Sequence, residues 1–281
     1  MMTFRIANII GHADDRQAVS RHSYEVPADI ISPGFEVGYV ALARPQTMLN
    51  DLDRMITELA YVEAGLRAHA DGYDAVMIGP VADYGMRQLR SVVPIPVIGA
   101  GQSSMQLAAG LGRRFAIVTV WPEVLRPAYE RQLAEYGYAG HCSGLYFVTR
   151  DAELPAMLET GEIHSLGTER GAGLLDRVEA VCRTALAEGA EVIVLGCTCM
   201  SAARDALGER LAGTAVIDPL RAGYKFAEML LGLGLRPLPS PPSLFAGQLA
   251  AMVLALAGTG PTREDCGDSC NILTAELVTA K

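Results

Sequence analysis

The sequence predicts an α/β protein built as two pseudo-symmetric, Rossmann-like lobes, each with a parallel sheet, and with its active site in the inter-lobe cleft. Three observations lead there. Short apolar runs alternate with amphipathic helical stretches along most of the chain. One stretch recurs at a constant offset. The composition, 50% hydrophobic and 20% charged over 281 residues, is that of a globular chain with an ample core.

The elements follow in order. Residues 4–10 and 36–42 read as strands, and 49–70 as a helix with charged faces. Residues 74–78 read as a buried strand, followed by a short helix ending near Arg90 and a strand at 96–98. Residues 102–111 are helical, 115–120 a strand and 127–136 a helix. A helix over 174–188, a buried strand at 191–195 and a helix over 200–211 come next. A strand at 215–217 and a helix over 221–233 complete the pattern.

The repeat pairs ADGYDAVMIGPV (70–81) with AEGAEVIVLGCT (187–198). Ala70, Gly72 and Gly79 match Ala187, Gly189 and Gly196, and Asp71 and Asp74 match Glu188 and Glu191. Each copy is followed by a helix and a short strand, and the strands at 4–10 and 115–120 open the two copies. The expected lobes are 1–99 with 218–236, and 100–217. Each lobe then carries its Gly79-Pro80 or Gly196-Cys197 turn to the carboxyl ends of its strands, where α/β sheets bind ligands. After Arg236 the run PLPSPPS reads as a linker, and 237–281 as a C-terminal extension with an apolar, helical segment that packs on a lobe or on a partner subunit; a homo-oligomer is expected.

A net charge of −9 without a basic run argues against nucleic acid as a partner. The longest apolar run, 244–257, is too short to span a bilayer, and the N-terminus has no signal-peptide pattern. Six widely spaced cysteines then suggest reduced thiols in a cytoplasm.

Cys197 carries the chemistry. It follows a buried strand and a glycine and precedes a helix, where unpaired N–H groups favour an anion and lower a thiol pKa. Such a thiol exchanges a proton with a carbon acid or attacks as a nucleophile, and the N–H groups hold a carboxylate or an enolate. Thr198 adds a hydroxyl. A small-molecule carboxylate or cyclic amide is the expected substrate.

VLGCTCM with VID-PL beyond it, DAVMIGPVADYG, PVIGAGQSSMQLAAGLGRRFAIVT and AGYKFAEMLLGLGL together resemble the aspartate/glutamate/hydantoin racemase superfamily over roughly residues 4–236, nearest the hydantoin racemase branch. The resemblance implies two pseudo-symmetric lobes, one cysteine per lobe on opposite faces of the substrate's acidic carbon, and neither metal nor pyridoxal phosphate; no cofactor is expected. At the first cysteine position this chain has Pro80, which has no ionisable proton and no N–H. Arylmalonate decarboxylase, a single-cysteine member of the superfamily, has hydroxyl residues just after that position, where Val81 and Ala82 stand here. Isomerisation with Cys197 and a non-cysteine partner, one-base decarboxylation or lysis, and loss of catalysis in a binding protein are therefore the three readings. Asn8 matches the family's substrate-side asparagine, although Asn8-Ile9-Ile10-Gly11 replaces the usual Asn-Pro-Asn-Thr. Thr119 is taken as its symmetric counterpart, and Trp121 as a pocket wall or a half-buried packing residue.

Among the remaining residues, Asp83 is expected to cap the next helix, with a replacement base as the alternative for it and for Tyr84. His12 reads as a loop residue. Cys199 is expected to point away from Cys197 into packing. Cys142, Cys182, Cys266 and Cys270 lack metal-ligand spacing. Gly99-Ala100-Gly101 reads as a tight turn, not a dinucleotide site.

Overall fold

The computed structural model describes residues 3–11, 25–43, 51–112, 114–160, 162–238 and 243–259. His12, Cys266, Cys270 and part of the Pro-rich linker lie outside the described residues. The chain forms two compact units. One takes in the described residues of Met1–Asp15, Val26–Gly99 and Gly223–Lys281, and the other those of Arg16–Glu25 and Ala100–Ala222.

The first unit contains β1 (Phe4–Ile10), β2 (Phe35–Ala41), α1 (Asp51–Ala70), β3 (Ala75–Ile78), α2 (Met86–Arg90) and β4 (Val97–Gly99). Its sheet has the order β2-β1-β3-β4, and every pairing is parallel. The second contains α3 (Ala100–Gly110), β5 (Phe115–Thr119), α4 (Arg126–Tyr136), β6 (Cys142–Phe147), α5 (Leu154–Thr160), α6 (Ala172–Ala187), β7 (Val192–Leu195), α7 (Arg204–Arg210) and β8 (Ala215–Ile217). Its sheet order is β6-β5-β7-β8, again all parallel. The repeat in the sequence is thus a repeat of topology, with β1, β2, β3 and β4 answering to β5, β6, β7 and β8. Two further helices follow, α8 (Pro219–Gly232) and α9 (Ala246–Thr259).

The repeated residues do the same work twice. β3 (AVMI) and β7 (VIVL) are buried at every position, the mark of an inner parallel strand. Gly72 and Gly189, with φ of 79° and 100°, turn the chain out of α1 and α6 in a conformation that a Cβ disfavours. Asp74 and Glu191 then hold the start of the neighbouring strand: the Arg5 N–H donates to Asp74 at 2.9 Å, and the Arg114 N–H to Glu191 at 3.4 Å.

Among the elements that differ from expectation, α5 is a helix that the sequence reading lacks. β6 escapes a reading of apolar runs because it is an edge strand, paired only with β5 and part-exposed along its length, and it opens on Cys-Ser-Gly. The expected helix over 200–211 is a 3-10 segment, Thr198–Ala203, that passes into α7. In the C-terminal region α9 packs on α1, with Val253 buried, while Leu244, Phe245, Met252 and Leu254 remain exposed. Among the described residues no helix is long and apolar enough to cross a membrane, and no three His, Cys, Asp or Glu side chains gather as metal ligands would.

Candidate active site

In the second unit, Gly196 leaves the end of β7 with its N–H donating to the Val118 carbonyl at 2.7 Å. It has to be glycine: a Cβ there would lie 2.6 Å from the Thr119 Cβ and 3.1 Å from the Ile117 side chain. Cys197 follows in extended backbone (φ −145°, ψ 139°) as the cap of the 3-10 segment, and its Sγ accepts the Cys199 N–H at 3.1 Å. Cys197 is half-buried, whereas Thr198 and Cys199 are buried.

A buried hydroxyl chain braces this turn from below. Tyr129, on α4, donates its only proton to the Gly196 carbonyl at 2.8 Å, since a carbonyl can only accept. The 3.1 Å contact between the Tyr129 and Thr119 hydroxyls is then served by the Thr119 proton. Thr119 in turn accepts the Trp121 N–H at 3.3 Å. Burial pushes the Tyr129 phenol up to about 12 against the lowering effect of Thr119, so it stays a proton donor across the physiological range.

A second brace holds the 3-10 segment. The Ser201 hydroxyl donates to Asp218 Oδ1 at 2.5 Å, the Leu220 N–H donates to the same oxygen at 3.0 Å, and Arg221 lies 3.4 Å from Oδ2. Burial raises the Asp218 carboxyl pKa above its ordinary value despite these partners.

The first unit repeats the turn without the sulfur. The Gly79 N–H donates to the Ile9 carbonyl at 3.1 Å, and a Cβ on Gly79 would lie 2.8 Å from both Asn8 Oδ1 and the Ile9 oxygen. Pro80 follows where the second unit has Cys197. Val81 is buried and Ala82 half-buried. Asp83 is 5% exposed and has a φ of 49°, the one positive φ among the described non-glycine residues. Its carboxyl lies against the Cα of Gly99, where a Cβ would overlap it.

The model of the Asp/Glu/hydantoin racemase family matches residues 24–227. The chain belongs to that family. A hydantoin racemase of Rhizobium meliloti is 34% identical over 168 residues, covering 60% of this chain and 64% of that protein. A hydantoin racemase of Pseudomonas sp. (strain NS671) is 30% identical over 68% of this chain and 71% of its own length. Among solved structures, allantoin racemase from Klebsiella pneumoniae superposes with a TM-score of 0.71 at 25% identity, over 87% of this chain and 98% of that one. A mutant of arylmalonate decarboxylase shares the fold, with a TM-score of 0.59 at 16% identity over 83% and 94% of the two chains.

Within this racemase-family fold several expectations need correction. Cys199 does not point away from Cys197. The two sulfurs are joined in a disulfide, so the expectation of reduced thiols throughout fails at this pair. Cys197 caps the 3-10 segment, and its side chain folds back over the residue two positions on, with Sγ on the Cys199 N–H. Asp83 does not cap α2: the cap position is Gly85, at a φ of 67°, and the left-handed backbone of Asp83 sets its carboxyl on Gly99 instead. Thr119 is not the register counterpart of Asn8. Ile9 pairs with Ile78 and Val118 with Leu195, so Thr119 answers to Ile10, two residues beyond Asn8 on the same face of the strand. Tyr84 packs in the first unit against Tyr61, ring centres 5.5 Å apart, and beneath Arg54. Trp121 is half-buried.

Tyr129, Ser201 and Asp218 were not singled out by the sequence. Tyr129 comes from a helix with no motif, and Ser201 and Asp218 meet only because β7 and β8 are neighbours. The VID-PL string held the one available hint, an acid at the end of a short strand before Pro219.

Proposed function

We propose that this protein is a cofactor-independent isomerase that moves a proton at a carbon next to a carbonyl in a cyclic amide of the hydantoin class, with Cys197 as an acid/base on one face. The single observation that carries this reading is the half-buried Cys197 sulfur, set at the carboxyl end of β7 and in hydrogen-bond contact with a backbone N–H. In the reduced protein that N–H stabilises the thiolate needed to take a proton. The names of the hydantoin and allantoin racemase relatives supply the substrate class. In this reading Thr119, Trp121, Gly196 and Thr198 are the substrate-binding residues of the second unit, and Asn8, Pro80, Val81 and Ala82 those of the first.

Pro80 has no proton to give, so the opposite face of the carbon needs another group. Asp83 is the ionisable residue of the first unit's corresponding turn, and its left-handed backbone is the kind of strain that functional turns retain. Pro80 also favours a second reading, a one-base decarboxylase or lyase in which Cys197 handles a single proton.

The test is proton NMR in deuterated water with the reduced protein and each enantiomer of a 5-substituted hydantoin. Isomerisation gives the opposite enantiomer with deuterium at C5. Exchange with retention, together with turnover of an arylmalonate, favours the one-base reading. A folded, reduced protein that leaves C5 unlabelled in both enantiomers refutes the proposal.

A further inference from the structure

We infer that Cys197 and Cys199 constitute a hydroperoxide-responsive modification site, at which oxidation joins the two sulfurs reversibly and takes the Cys197 thiol out of use. Its effect on turnover rests on the acid/base role given to Cys197; the modification itself does not. The disulfide joins residues whose Cα atoms are 5.2 Å apart, within the ordinary range for such a bond. A sulfur carrying that bond has no proton to exchange, and the bonded form is therefore inactive in carbon-acid chemistry.

Exposure assigns the two sulfurs different roles. Cys197 is half-buried, so it is the sulfur a small oxidant meets first, while Cys199 is 0% exposed. The Cys199 N–H on Cys197 Sγ stabilises the thiolate, the form that attacks peroxides. The other described cysteines are poorer targets. Burial pushes the Cys182 thiol up to about 12, and Cys142 is raised for the same reason while its thiol donates to the Gly144 carbonyl.

The chemistry balances with an alkyl or hydrogen peroxide as oxidant. The Cys197 thiolate attacks one peroxide oxygen, the O–O bond breaks, and the departing alkoxide or hydroxide takes up a proton, leaving a sulfenic acid. The Cys199 sulfur then attacks the sulfenic sulfur and loses its proton, the S–S bond forms, and the hydroxyl leaves as water. Two thiols are oxidised by two electrons in all, and the peroxide is reduced to water and an alcohol or a second water. Thiol–disulfide exchange with a dithiol reverses the bond.

The tryptic peptide of residues 184–204 contains these two cysteines and no other. After reduction of the native protein, removal of the reductant, brief treatment with hydrogen peroxide and alkylation under denaturing conditions, we expect this peptide to be two hydrogens lighter and unalkylated, and fully alkylated when peroxide is left out. Dithiothreitol should restore both alkylation and deuterium exchange into the hydantoin. In Cys199→Ser the same treatment should leave Cys197 as a sulfenic acid that dimedone traps, and excess peroxide should add a second oxygen that dithiothreitol does not remove. A wild-type peptide fully alkylated after peroxide, or one stopped at the sulfinic acid, overturns the inference without touching the isomerase reading. A reversible disulfide that leaves exchange activity intact upholds the modification site and overturns the acid/base role of Cys197.

Discussion

The Tyr129 hydroxyl donates to the Gly196 carbonyl at 2.8 Å, so a residue from α4 fixes the peptide that immediately precedes Cys197. Removing that proton leaves a buried carbonyl without this donor and the Thr119 hydroxyl without its acceptor. Tyr129→Phe should cost about 1–3 kcal/mol of stability, the price of an unsatisfied buried polar group. Urea unfolding at neutral pH measures it, and an unchanged midpoint would show that water replaces the phenol there.

Cys197→Ala should keep its circular dichroism spectrum and lose deuterium exchange at C5 by ~10²–10⁴-fold, the usual worth of one positioned acid/base. Both measurements belong on a single reduced preparation. Substantial exchange by a folded variant sinks the cysteine mechanism.

Asp83→Asn tests whether that carboxyl supplies the second acid/base of the proposed isomerisation. Asparagine tolerates a left-handed backbone, so the turn should persist at a φ near that of Asp83, 49°. Inversion of configuration should fall by ~10²-fold or more while exchange with retention survives. Equal loss of both would reduce Asp83 to a structural part.

The glycines of the two turns predict a contrast in stability. Gly196→Ala sets a methyl 2.6 Å from the Thr119 Cβ, and Gly79→Ala sets one 2.8 Å from a backbone oxygen. Each should destabilise its turn by about 1–3 kcal/mol. Gly208, within α7, has open space around its Cα, and Gly208→Ala should stabilise by about 0.5–1 kcal/mol. Thermal melts of the three variants would separate the cradle glycines from the incidental one.

Glu153 sets an acid limit on the second unit. It accepts the Arg150 N–H at 3.1 Å and bonds from the Arg177 and Arg150 guanidiniums, each at 2.7 Å; these hold its carboxyl at about 2 against an ordinary 4.5. A carboxylate depressed in the folded state stabilises fully above its unfolded pKa, and that contribution is lost as pH falls through the folded one. Between these limits wild type should lose stability faster than Glu153→Gln, and added salt should shrink the difference. Parallel curves in urea titrations across that window would remove Glu153 from the account.

Much of this architecture was legible because the chain states it twice. Asp74 and Glu191, Gly72 and Gly189, and Gly79 and Gly196 each mark the same place in a strand–turn unit, and the family resemblance rests on the same strings. What stayed hidden depends on contacts that no periodicity encodes. Tyr129 reaches Gly196 from a helix 67 positions away in sequence. The join between Cys197 and Cys199 depends on the Cys197 side chain folding back over the turn that it caps, which side-chain pattern does not register. The two-residue offset between Asn8 and Thr119 was invisible for a similar reason, since strand register shows only once the ladder is drawn.

The paired glycines also govern how a mutational scan of this chain will look. Gly79 and Gly196 are fixed by the atoms packed on them, whatever else Gly196 does for a substrate. Both columns should be intolerant of substitution under a selection for folding as much as under one for activity. The informative columns are the ones that follow, Pro80 and Cys197, where folding and activity selections should part company. Intolerance at the glycine marks the cradle, and divergence at its neighbour marks which of the two cradles is in use.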